Sequence, residues 1–276
     1  MTDDATTTHA GIQSLLDIMR RLRDPDSGCP WDLKQNFHTI VPFTIEETYE
    51  LADAIAAEDF AQIRDELGDV LFQVVFYAQM ASEQSLFTFE DVVDGAAEKL
   101  RRRHPHIFAA TGGQSVSAGD VKERWEQIKG EERQQKNQKG TLDDIPKALP
   151  ALSRSQKLQK RAARVGFDWS ELDAVRGKVD EELGELAEAI SEGESAAIES
   201  EVGDIFLAMV NLARHLGVDA EAALRHANRR FEKRFRLMET AADCDGSQLS
   251  EESLERLEER WQAAKRELAA RGSATD

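Results

Sequence analysis

Two short acidic runs carry the chemistry this sequence can perform. Glu181, Glu182 and Glu185 form an EExxE pattern, and Glu201 and Asp204 follow as ExxD. On a helix, residues three and four apart share a face, so Glu182 aligns with Glu185 and Glu201 with Asp204. The intervening segment has room for about two further turns, a reversal and the start of a second helix. The two pairs then face one another at similar height on antiparallel neighbours. Carboxylates aimed at one spot repel unless a cation sits among them. Every candidate ligand is an oxygen, and neither motif contains His or Cys, which favours Mg2+ or Mn2+ over zinc. Mg2+ keeps waters, takes phosphate oxygens as further ligands, and can activate water for attack at phosphorus.

The same constellation occurs earlier in the chain. Glu46, Glu47 and Glu50 stand 135 positions before Glu181, Glu182 and Glu185, and Glu66 and Asp69 stand 135 before Glu201 and Asp204. The tryptophans repeat with them: Trp31 in GCPWD answers Trp169 in GFDW, and Trp125 in RWEQIK answers Trp261 in RWQAAK. This register marks an internal duplication, with domains expected over 1–138 and 139–276. An acidic surface helix also produces such patterns. Recurrence in paired helices flanked by apolar residues argues instead for a metal site in at least one copy. Gly68 and Gly203 interrupt the second motif, where glycine costs a helix about 1 kcal/mol relative to alanine. Their presence suits a close approach by backbone or ligand.

The elements that must position these acids read as helices. Ile12, Leu15, Leu16, Ile18, Met19 and Leu22 recur at helical spacing, and Asp24-Pro25 ends that helix. A second helix is expected from Thr44, with Glu47 completing a capping box. A third runs from Phe60 to about Glu83 under an Asp59 cap, and a fourth starts at Thr88 and stops before His104-Pro105. The second copy gives helices over about 147–164, 175–190, 196–216 and 220–242, and a last one from Ser250. The run from Val70 to Met80 has strand-like residues, but its length and lack of turn signals argue for a buried helix. The architecture expected is all-α, with duplicated helical domains built on antiparallel hairpins, resembling four-helix bundles.

Composition narrows the partners. The chain has 276 residues, 53 acidic against 35 basic, and a net charge of −18. So acidic a protein is poorly suited to nucleic acid or an anionic membrane surface. Two cysteines far apart suggest neither a disulfide framework nor a zinc site. The polar, acidic N-terminal stretch is unlike a secretory signal, and no apolar run reaches the length of a bilayer span. A cytoplasmic location is expected.

Basic clusters stand where a phosphate needs them: Lys99 and Arg101 to Arg103 in the first copy, and Arg229, Arg230, Lys233, Arg234 and Arg236 in the second. Such clusters also serve as solvated helix ends. Trp125 and Trp261 fit either a core stripe or a stacking surface for a base. Trp31 and Trp169, beside turns, read as plugs of the core. His104 and His106 flank a proline and read as a stabilised turn.

Taken together, EExxE…ExxD, GCPWD, KLRRRHPHIF, RWEQIK, RxxRVGFDW and DEELGELAEA resemble the MazG nucleoside triphosphate pyrophosphohydrolases, over about residues 11 to 268 and in their two-copy form. The resemblance implies Mg2+-dependent hydrolysis of ribo- and deoxynucleoside triphosphates to monophosphate and pyrophosphate. It also implies broad base acceptance, a homodimer, and a role in nucleotide-pool cleaning or alarmone control. Carried onto this chain, it makes Glu182, Glu185, Glu201 and Asp204 the metal ligands. Glu181 joins them or positions the attacking water. Lys178, Arg230, Lys233 and Arg234 hold phosphates, and Trp261 contacts the nucleotide. Ser200, with Glu181, Glu182 and Asp204, falls at nucleotide-contacting positions, although relatives often place an acid where Ser200 stands and have a longer preceding loop. Glu47, Glu50, Glu66 and Asp69 are the matching ligands of the first copy. Phe43 there replaces Lys178, which points to the second copy as the active one. A different class of reading, a helical regulator that binds metal or nucleotide without turnover, is disfavoured by Lys178, because a scaffold has no need of a cation beside five acids.

Overall fold

The computed structural model describes residues 5–108, 128, 130 and 140–272. Among the described residues every regular element is helical. The chain divides into two compact units, Met1–Ile128 and Lys129–Asp276. The expected boundary at 138/139, and Trp125 with its RWEQIK motif, lie outside the described residues.

In the first unit, α1 (Ala5–Leu22), α3 (Phe37–Ala57) and α4 (Phe60–Glu83) surround one core, and the short α2 (Pro30–Lys34) leads into α3. Met19, Ile40, Val75, Phe76 and Met80 form this core, with Ile12, Leu15, Leu16, Phe37 and Tyr77 packed against it. The strand-like run is therefore helix interior, its β-branched and aromatic side chains used for burial. Helix α3 starts earlier than expected. Asn36 caps it, accepting from the His38 and Thr39 amides, and Thr39 answers with its own hydroxyl. Thr44 lies inside the helix, donating to the Ile40 carbonyl and pairing with the Tyr77 hydroxyl at 3.0 Å. The helix runs through Pro42 because the stronger Asn cap and the burial of Ile40 offset one missing backbone bond. Asp59 caps α4 as expected. Thr88 and Asp91 form the capping box of α5 (Phe89–Arg103), and α6 (Pro105–Phe108) follows its end at His104.

The second unit repeats the hairpin with α8 (Leu172–Glu192) and α9 (Ser195–His215), reversed at Gly193 with φ 76°. Helix α7 (Ala151–Ala163) packs on α9 and on α10 (Ala220–Asp245), and α10 pairs with α11 (Leu254–Gly272). Helix α7 begins four residues later than expected, because the residue before Pro150 is pushed out of the helical region. Asp219 caps α10, and Gly246, at φ 65°, ends it. Ser250 falls in a 3-10 turn, Leu249–Glu251, rather than at a helix start. The cause is Glu252. It turns inward to meet Arg260 Nε and Nη2 at 2.6 Å each, with Ser247 and Asp245 completing a network around the guanidinium. Glu252 and Arg260 are buried together, and the Arg260 hydrogen bonds hold the Glu252 carboxyl down at about 2.

Candidate active site

The hairpin of each unit brings its acids together. In the second unit, oxygens of Glu182, Glu201 and Asp204 lie within 4.8 Å of one another, and Glu182 is buried. In the first, Glu47, Glu66 and Asp69 do the same. Glu185 and Glu50, also expected as ligands, fall outside these two groups of three. Desolvation, then the charges of Glu182 and Glu201, push the Glu185 carboxyl above its usual range. Glu47 is raised by desolvation and by Asp69, Glu50 and Glu66, and Glu66 by desolvation and by Glu50 and Asp69. Glu66 Oε2 is also buried without a hydrogen-bond partner. Crowded, desolvated, all-oxygen donors with an orphaned lone pair fit a hard divalent cation.

Lys178 distinguishes the two units. Its Nζ lies 2.7 Å from Glu182 Oε1 and 2.9 Å from Glu181 Oε1, and these hydrogen bonds raise its pKa above the ordinary lysine value. The spacing of three and four residues on α8 puts this ammonium at the rim of the acid cluster. In the first unit Phe43 occupies the corresponding position and meets Trp31 edge-on at 5.6 Å.

Other expected residues form a separate group. Arg234 lies over the Trp261 ring at 5.4 Å, and Trp261 packs on Phe231 at 5.2 Å between α10 and α11. Arg234 Nε is buried without a partner. Within the described residues, Arg230, Lys233 and Arg234 make no ion pair with the acids of α8 and α9. Helix α10 packs chiefly on α7 and α11. Trp261 is partly buried. Ser200 directly precedes Glu201 on α9. A Cβ added at Gly68 or Gly203 would meet no protein atom within 4 Å, so no backbone neighbour requires either glycine.

Trp31 and Trp169 are not core plugs: they are 50% and 40% exposed. Trp31 lies in the short α2 that leads into α3, and Trp169 in the turn before α8. Trp169 instead lines a cavity of about 130 Å³ that opens beside Lys178, Glu182 and Asp204 and reaches Gln159, Asn211 and Arg214. Asp168 ties this cavity together. Its Oδ1 accepts from Arg214, from His215 Nε2 at 2.9 Å and from the Trp169 amide at 3.0 Å. The Arg214 hydrogen bond, helped by His215, holds the Asp168 carboxyl below its usual range against desolvation. Gln159, Asp168, Asn211 and Arg214 were not legible as site residues. Their one signal in the sequence is the placement of Asp168 in GFDW, beside Trp169.

The sequence matches the MazG nucleotide pyrophosphohydrolase domain over residues 35–108 and again over 172–236, the two hairpins that carry the acids. It is 54% identical over 258 residues to the nucleoside triphosphate pyrophosphohydrolase of Escherichia coli K12, covering 93% of this chain and 97% of that protein. It is 44% identical, with the same coverage, to the nucleoside triphosphate pyrophosphohydrolase/pyrophosphatase MazG of Thermotoga maritima. Bacillus subtilis YabN is 43% identical over 90% of this chain and half of its own length. With the domain matched twice, each time on a hairpin that gathers an EExxE and an ExxD, the chain belongs to the MazG nucleotide pyrophosphohydrolase family.

Proposed function

We propose that the second unit hydrolyses nucleoside triphosphates, ribo- and deoxy-, to the monophosphate and pyrophosphate with Mg2+ at Glu182, Glu185, Glu201 and Asp204. The observation that carries this is the Lys178 ammonium held 2.7 Å from a buried member of an all-oxygen acid cluster. Mg2+ in that cluster supplies charge neutralisation for the phosphates and electrophilic activation at phosphorus. Water adds through its oxygen to phosphorus, the bridging P–O bond between the α- and β-phosphates breaks, and pyrophosphate leaves. Glu181, exposed and already hydrogen-bonded to Lys178, orients that water or accepts its proton. Lys178 offers its ammonium to a phosphate oxygen, which exchanges one anionic partner for another at little cost. Arg230, Lys233, Arg234 and Trp261 are the proposed further contacts to the nucleotide, Ser200 lies beside it at the start of the ExxD motif, and the working form is a homodimer. The cellular purpose that suits this reaction is nucleotide-pool cleaning or alarmone control.

The test is direct. The purified protein, Mg2+ and a panel of NTPs are incubated and the products resolved by anion exchange. Monophosphate with pyrophosphate, abolished by EDTA, is expected. Diphosphate with orthophosphate would mean that a different bond breaks. Binding without product would favour the regulatory reading.

A further inference from the structure

The imidazole of His215 faces two incompatible partners. Its Nε2 lies 2.9 Å from Asp168 Oδ1, which can only accept, and 2.7 Å from Arg214 Nη2, which can only donate. One ring nitrogen carries either a proton or a lone pair. A neutral ring therefore serves one partner and forfeits the other. An imidazolium donates to Asp168 in every case, with the strength of a charged pair. Arg214 holds the Asp168 carboxyl below its usual range, so that partner is ionised in both states. His215 closes α9, where the helix dipole favours a cation, and its side chain is 15% exposed. Several charges face this end of α9. From α8 come Glu171, Asp173 with its partner Arg176, and Lys178 across the cavity. Asp219 stands before α10 and bonds the Ala222 amide. Lys157 of α7 lies between Gln156 and Gln159, which bond the Val218 and Leu207 carbonyls. Among the described residues, Asp168 and Arg214 are the charged groups in contact with Nε2.

Resting on the reaction proposed above, we propose that His215 is a positioning residue, a proton-operated latch that fixes the turn 166–169 on α9 and so sets how firmly one wall of the active-site cavity stands. Asp168 is the link. Its neighbours Phe167 and Trp169 both line the cavity beside Lys178, Glu182 and Asp204, while its own carboxylate reaches the end of α9. The same oxygen accepts the Trp169 amide, and Phe167 is tied back to the Ala162 carbonyl at 3.2 Å. With His215 protonated, the turn is held by two charged donors. With the ring neutral, Arg214 divides its donors between carboxylate and imidazole. The latch is tight below the titration of the histidine and slackens as the pH rises through it. In the first unit Pro30 and Met80 stand at the positions of Asp168 and His215, so that copy has no latch of this kind.

The test follows two NMR signals of the metal-free protein, the His215 ring Hε1 and the Trp169 indole N–H, from about pH 5.5 to about pH 8.5. The two should titrate with one midpoint. Asp168→Asn should uncouple them, so that the imidazole still titrates and the indole no longer follows. His215→Gln should abolish the indole response with the helical circular dichroism unchanged. In steady-state hydrolysis of a Mg2+–NTP, the KM of the native protein should rise relative to that of His215→Gln by about threefold to tenfold from the low to the high end of this range. The ratio of the two kcat values should stay level. Separate midpoints, an indole response that survives His215→Gln, or a KM ratio flat with pH overturns the latch. A failed hydrolysis assay with the coupled titration intact would sink the reaction and leave the latch standing.

Discussion

Lys178 and Glu182 lie one helical turn apart with Nζ 2.7 Å from Oε1, and the carboxylate is buried while the lysine reaches solvent. The pair has two uses. Without metal, the ammonium balances a desolvated charge inside a crowd of acids. With metal and substrate, it is free to turn toward a phosphate. Removing it should therefore separate two effects. Lys178→Met should lower the melting temperature of the metal-free protein, because Glu182 keeps its burial and loses its partner, and Mg2+ should restore most of the loss. The kcat/KM should fall by about 10- to 100-fold even at saturating Mg2+, because the remaining phosphate contacts are unaltered. Calorimetry and steady-state kinetics on the same preparation check both. A melting temperature unchanged without metal would contradict the pairing.

The acids themselves should be far less tolerant. Glu185→Gln keeps shape and removes charge, and turnover should drop by about 10²- to 10³-fold with the helical circular dichroism unchanged. Glu50→Gln should cost much less. An equal loss from both would mean that the two units share the work.

Metal should also stabilise the fold. Desolvation first, and then neighbouring acids, raise the carboxyls of Glu185, Glu47 and Glu66, a cost that a bound cation would relieve. At a concentration a hundred times its dissociation constant, Mg2+ should contribute about 2.7 kcal/mol. Thermal scans with EDTA and with Mg2+ should differ by several degrees, and Glu182→Gln with Glu201→Gln should shrink the difference. No shift in the intact protein would argue against a tight site.

Acid should loosen the C-terminal hairpin through Glu252. Its folded carboxyl is held at about 2, below the usual 4.5, so its stabilising contribution is complete above about 4.5 and is lost as the pH falls from there toward 2. Glu252→Gln should therefore lower the melting temperature at neutral pH, and the gap to the native protein should close as the pH approaches 2. A gap constant across that range would show that the Arg260 pair is not its source.

Restoring the missing cation should not awaken the first unit. In a background silenced by Glu185→Gln, Phe43→Lys supplies an ammonium beside Glu47, but Phe76, 135 positions before Asn211, still fills the place of that cavity residue. No recovery of NTP hydrolysis is expected. Recovery would mean that the lysine alone separated the two units.

Much of this architecture was legible beforehand. The 135-residue register, the acid spacing and the caps at Asp59, Thr88 and Asp219 depend on local periodicity and on side chains that bond their own backbone. Such interactions are decided within a few residues. The errors fell where a distant partner intervened. Asn36 outcompeted Thr44 as a cap because burial of Ile40 carries the helix through Pro42. Ser250 lost its helix because Glu252 turned inward to reach Arg260, eight residues away.

By itself, then, the sequence determined a duplicated all-helical chain whose hairpins gather carboxylates, and it singled out Lys178 as the difference between the copies. Only the tertiary structure decided that Trp169 is a cavity wall rather than a core plug, that Arg234 and Trp261 form their own cluster, and that Asp168, Arg214 and His215 meet beside that cavity. The physical reason is separation along the chain. The acids within each motif share a helix face, whereas Gln159 and Leu207 are 48 residues apart and Asp168 and Arg214 are 46 apart. No periodicity links such pairs until α7, α8 and α9 pack.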